Sequence, residues 1–267
     1  MSQSSVSRAE LASQLRALGV CEGGVLLVHM SYRAVRPVDG GPAGVIDALR
    51  TAVGHEGTVV MPSWGDDDEA PFDPANTPVS ATLGATADLF RRLPNVHRSA
   101  HPFAFAALGP RAAAVTADPL PLPPHRLESP VGRVYQLDGQ ILLLGVGHDA
   151  NTTIHLAEVL AQVPYGVPKH CTVLEDSRPV RIHYEENDHC CQRFAFADDW
   201  LRARSLQREG PVGHAPARLA RSRDVVTVVR EHLARDPLIF LHAPDSGCAE
   251  CDEARQSVGR IGKVAPA

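Results

Sequence analysis

Apolar positions along this chain follow two rhythms. Leu11, Leu15 and Leu18 recur at helical spacing, which predicts a helix over 7–19 with Ser7 and Glu10 as its capping pair and Gly19 as its stop. Short unbroken apolar runs predict buried strands over 24–30, 58–62 and 141–145. The alternation FAFAALG predicts a further strand, and CTVLED with RPVRIHY a hairpin closed by Asp176-Ser177-Arg178. Helices are expected over 42–53, 83–93, 129–136, 194–206 and 222–234, and a last strand over 238–241. The proline-rich stretch 118–130 is too stiff and too poor in N–H donors for a helix or inner strand, so it reads as a connecting arm on the surface. Strands interleaved with helices make an α/β fold, expected as one domain over 1–267 with a cysteine-containing tail from about 243.

The stretch LDGQILLLGVGHDANTTIHLAE (137–158) organises the rest. A turn, a buried strand and a glycine loop lead into a helix that starts around Asn151 and two threonines. His155 and Glu158 then share one face of that helix at i, i+3, near the carboxyl end of a buried strand, where open α/β sheets keep their chemistry. The pair reads either as a core histidine satisfied by its carboxylate or as a base with its orienting acid.

Composition narrows the setting. Of 267 residues, 44% are hydrophobic and the net charge is −5, which argues against a nucleic-acid surface and fits a small cationic partner. No apolar run reaches membrane length and the first residues lack a signal-peptide core, so a cytoplasmic location is expected. Two polar strand exits stand out. Ser31, Arg33 and Arg36 follow the first strand, and Arg98 and Ser99 precede another; such exits are ordinary solvated loops or phosphate holders. The acids 66–69 behind Trp64 are either a solvated loop or a lure for a polycation.

Six cysteines suggest thiols or metal before disulfides. Cys248 and Cys251 form a C-x-x-C half-site, and His189, Cys190 and Cys191 in the ENDHCC run could supply the remaining ligands of a structural zinc. A redox pair and unligated thiols are the alternatives.

At this point the residues carry a resemblance. LLVHMSYRAVRP, TVVMPSW, RSAHPFAFAALGP, SPVGRVYQLDGQILLLGVGHDANTTIHLAE and ENDHCC, in this order, resemble the aminoglycoside 3-N-acetyltransferase family over nearly the whole chain. HDANTT, PLPLPPH, ENDHCC and the terminal C-x-x-C look most like its class IV members, which act on apramycin and gentamicin. The resemblance implies a three-layer α/β/α fold distinct from the common N-acetyltransferase superfamily, whose glycine-rich acetyl-CoA loop is not found here. It implies direct transfer from acetyl-CoA to the 3-amino group of a 2-deoxystreptamine ring, with His155 as general base. Glu158, Glu186 or Asp188 would orient the base, and Thr153 would donate to the thioester oxygen. Ser31, Arg33, Val35, Arg36, Arg98, Ser99, Phe103 and Phe105 would line the coenzyme A channel, with Met30 standing where relatives tend to carry serine. Trp64, Asp67, Asp149, Glu186 and Asp188 would hold the sugar ammoniums, and the chain would act as a monomer or homodimer. Three other readings stay open: an acyltransferase on another amine, a zinc hydrolase built on His148, His155 and a carboxylate, and a non-catalytic aminoglycoside binder.

Overall fold

The computed structural model describes residues 4–117, 122–176 and 178–258. In chain order its helices and strands are α1 (Arg8–Leu18), β1 (Val25–Met30), α2 (Tyr32–Val35), α3 (Gly41–Val53), β2 (Thr58–Pro62), α4 (Gly84–Arg91), β3 (His97–Arg98), β4 (Phe105–Leu108), α5 (Ala112–Thr116), α6 (Pro130–Gln136), β5 (Gln140–Leu144), α7 (Thr153–Ala161), β6 (Val167–Glu175), β7 (Arg178–Glu186), α8 (Phe196–Arg202), β8 (Gln207–Val212), β9 (Ala215–Arg221), α9 (Ser222–Leu233) and α10 (Ala249–Ser257). Seven strands form one sheet in the order β3-β4-β2-β1-β5-β9-β8, and β6 and β7 form a separate ribbon. β1 lies at the centre, parallel to both β2 and β5, and Met30 pairs with Leu144. The carboxyl ends of β1 and β5 therefore open side by side.

Unbroken apolar strands need cover on both faces, and they have it. Val25, Leu27, Ile141 and Leu143 face a core shared with α6, α7 and α9. Leu26, Val28, Leu142 and Leu144 face a second core shared with α1, α3 and α4. The result is the expected three layers. Local signals set the ends: Ser7 accepts from the Glu10 N–H, Gly19 closes α1 in the left-handed region, and Ser129 caps α6.

Three expectations are corrected. The segment 238–241 is a run of turns, because Asp236 accepts the Leu238 N–H and the chain curls while Phe240 and Leu241 stay buried. β8 and β9 form a hairpin that the sequence reading leaves out; prolines and charged residues blur its alternation, and β8 sits at the sheet edge where Pro211 is tolerated. The proline arm is not wholly a surface linker, since Pro124 and His125 are buried; residues 118–121 lie outside the described residues, as do Ser177 of the β6–β7 turn and 259–267 of the tail. Glu175 pairs with Arg178 across that turn. No described helix is long and apolar enough to cross a membrane.

Candidate active site

The Asn151 side chain accepts the Thr153 N–H in an Asx turn, and α7 starts at Thr153 with Thr152 at the cap position making no side-chain cap bond. That start aims His155 into a cavity at the mouth of β1 and β5. The His155 ring donates through Nδ1 to Glu158 Oε2 at 2.8 Å. Glu158 is fully buried, and its other oxygen accepts from His189 Nε2 at 2.8 Å and from the Tyr165 hydroxyl at 2.5 Å. Burial alone would raise the Glu158 pKa, but the two imidazoles outweigh it and hold the carboxyl down at about 2. Burial likewise works against a charged His155; the neighbouring Cys191 sulfur and Glu158 outweigh it, so its pKa is raised well above the ordinary histidine value. Nε2 of His155 lies 3.4 Å from Cys191 Sγ, on the cavity side of the ring.

The cavity measures about 480 Å³, and Met30, Trp64, Phe103, Asp149, Asp188 and Cys191 share its wall with His155. Trp64 and Phe103 pack with ring centroids 4.8 Å apart and planes tilted by 35°, giving the cavity an aromatic wall. Asp149 is exposed at the rim, while Asp188 is paired with Lys169. Glu186 sits just behind, its carboxyl pushed up to about 7 by burial despite the charge on His155. A second cavity of about 630 Å³ adjoins the first through Met30, Thr82, Leu83 and Val146. Ser31, Arg33 and Arg36 line it, and among the described residues neither guanidinium has an acidic partner.

Several candidate residues fall elsewhere. Val35 is wholly buried in the second core, and Phe105 and Ser99 are also buried, the Ser99 hydroxyl accepting the Phe105 N–H. Arg98 donates to the carbonyls of Ser63, Pro74 and Thr77, which pins the 63–77 loop rather than offering charge to a ligand. Asp67 accepts its own loop's N–H groups from Glu69 and Ala70, and Glu69 pairs with His170 and Arg181 of the ribbon, so part of the acid run serves to moor that loop. Thr153 is fully buried; Thr152, its hydroxyl 3.3 Å from His29 Nε2, lines the cavity instead. His148 bonds Gln207 and Asn151 instead of facing His155. The predicted zinc set also divides: His189 and Cys191 serve the His155 cluster, leaving Cys190, Cys248 and Cys251.

Two side chains at the site were not anticipated. His125 stacks on His155 with centroids 4.9 Å apart, its own pKa pushed well down by burial and then by His155. Tyr165 reaches Glu158 from the loop before β6. Their only sequence signal is the position of His125 behind the prolines.

Residues 27–234 match the family model described as aminoglycoside 3-N-acetyltransferase. The chain is 65% identical to aminoglycoside N(3)-acetyltransferase IV of Salmonella sp over 90% of its length and 92% of that protein's. It superposes on crystal structures of a histidine-to-alanine variant of aminoglycoside acetyltransferase AAC(3)-IVa. The complex with a gentamicin gives a TM-score of 0.95 at 64% identity, covering 97% of this chain and 100% of that one. The complex with apramycin gives 0.88 at 60%, covering 94% and 100%. AAC-IIIb, solved as a binary complex with CoASH, gives 0.79 at 27%, covering 87% and 97%.

Proposed function

This chain belongs to the aminoglycoside 3-N-acetyltransferase family, and on that premise we propose how its residues divide the work. The reaction moves an acetyl group from acetyl-CoA to the 3-amino group of a 2-deoxystreptamine ring. The relatives bound to gentamicin and apramycin support those two aminoglycosides as substrates, and acetylation removes a positive charge the antibiotic carries. Acetyl-CoA is an intracellular metabolite, which supports action in the cytoplasm. One observation carries the assignment of roles: on the wall of the cavity, His155 presents Nε2 inward while Glu158 holds Nδ1.

An ammonium has no free lone pair, so a proton must leave the amine before or during attack. His155 Nε2 takes it, and Glu158 fixes the tautomer and balances the imidazolium charge. His155 passes that first proton to solvent. The amine nitrogen attacks the thioester carbonyl, and His155 Nε2 takes the second N–H proton from the adduct. The C–S bond breaks and the departing thiolate receives that second proton, so one proton is released to solvent per turnover. Thr152 is placed to donate to the oxygen on which charge develops. Ser31, Arg33 and Arg36 suit the phosphates of coenzyme A, and Phe103 suits the pantetheine arm. Trp64, Asp149, Glu186 and Asp188 offer an aromatic face and carboxylates to the sugar ammoniums. The comparison with a histidine-to-alanine variant fits this reading.

Purified protein incubated with acetyl-CoA and either gentamicin or apramycin is expected to give an acetylated product by mass spectrometry. In a His155→Ala variant the rate should drop by about a hundredfold or more. Equal rates in the two proteins would remove His155 from the chemistry.

A further inference from the structure

We propose that Cys190, His242, Cys248 and Cys251 bind one Zn²⁺, which fastens the active-site loop to the C-terminal helix. The ligand atoms of Cys190, His242 and Cys248 lie within 4.8 Å of one another. Cys251 Sγ is 3.4 Å from His242 Nδ1. Zinc bonds to sulfur and imidazole nitrogen at tetrahedral angles would place such an S···N pair about 3.6 Å apart, close to the distance found. Two thiols and one imidazole from three chain segments therefore form one donor cluster, and the Cys251 thiol beside the imidazole completes the donor set of a closed structural zinc site.

The surroundings are arranged to hold the donors there. Cys248 is the N-cap of α10 and Cys251 lies in its first turn, so one helix end carries both thiols. Arg255, one turn further on, donates to the carbonyls of Leu241 and His242 and so locks the histidine segment onto α10. Cys251 is buried in the same core as α9. Binding would release the thiol protons to solvent and convert loose thiols into a cross-link. The position of Cys190 gives that cross-link its consequence. It directly precedes Cys191 and follows His189, the two residues of this loop that touch His155 and Glu158, so an ion held by Cys190 would set the placement of both.

Metal analysis tests the assignment without reference to activity. Wild-type protein purified without added metal should hold about one zinc per chain, falling below about a tenth in the Cys248→Ser/Cys251→Ser double variant. A Cys21→Ser control should keep its zinc, and so should Cys191→Ser. Should the double variant fail to fold, chelator-stripped wild-type protein titrated with Co²⁺ gives the same answer. Thiolate-to-cobalt and tetrahedral d–d absorption should saturate at about one equivalent. Folded wild-type protein that holds no zinc and develops no cobalt bands would overturn the proposal. So would zinc that persists in the double variant, or a Cys248–Cys251 disulfide found by mass in freshly purified protein.

Discussion

The Glu158 carboxylate is out of reach of water, and its oxygens bind three side chains brought from three places in the chain. Removing one donor from a buried anion costs more than removing a neutral contact. Tyr165→Phe is therefore expected to lower unfolding free energy by about 1.5–3 kcal/mol in a urea titration. A loss under about 0.5 kcal/mol would mean the hydroxyl contributes little. Titration gives a second test. His155 must lose a proton to act as base, and its pKa is raised, so kcat/KM should climb with pH along a limb centred above 6.5. Glu186 ionises near 7 and adds attraction for the ammoniums over the same interval. Cys191→Ser should move the limb toward lower pH, because the Cys191 sulfur is among the groups that raise His155. A profile flat between pH 6 and 9 would contradict this account. At this scale the sequence was half legible. The pairing of His155 with Glu158 follows from helical spacing alone, whereas His125, His189 and Tyr165 join it through contacts across 30, 34 and 7 residues that no local pattern encodes.

Elements with strong local signals were readable and those stabilised from a distance were not. β1, β2 and β5 declare themselves by unbroken apolar runs because both faces are covered. β8 and β9 carry prolines, glycines and charges, and they hold together by pairing with each other and with β5. The helix start at α7 depends on β5 ending sharply, and Gly145 makes that ending. It takes φ of +71°, and a Cβ there would stand 2.6 Å from the Ala34 Cβ. Gly145→Ala should destabilise the protein by about 1–3 kcal/mol and depress kcat as the cavity loop shifts. Denaturant melts and steady-state rates would show it. Unchanged values in both would mean the loop tolerates a relaxed turn.

The whole molecule brings the ends of the parallel strands, the proline arm and the ribbon's last loop to one mouth. Fold class and a preference for cationic partners could be read from the chain, since periodicity and net charge are properties of sequence. The share of the acid run that moors its own loop could not, because its partners lie in the ribbon more than a hundred residues away. The two adjoining cavities have a bearing on kinetics. Met30, Thr82, Leu83 and Val146 line both, and on the proposed division of roles donor and acceptor would occupy separate cavities at the same time. Double-reciprocal plots against aminoglycoside at several acetyl-CoA concentrations should intersect, the mark of a ternary complex. Parallel lines would instead mean that the acetyl group rests on the protein between two half-reactions, and Cys191 is the thiol on that wall able to carry it.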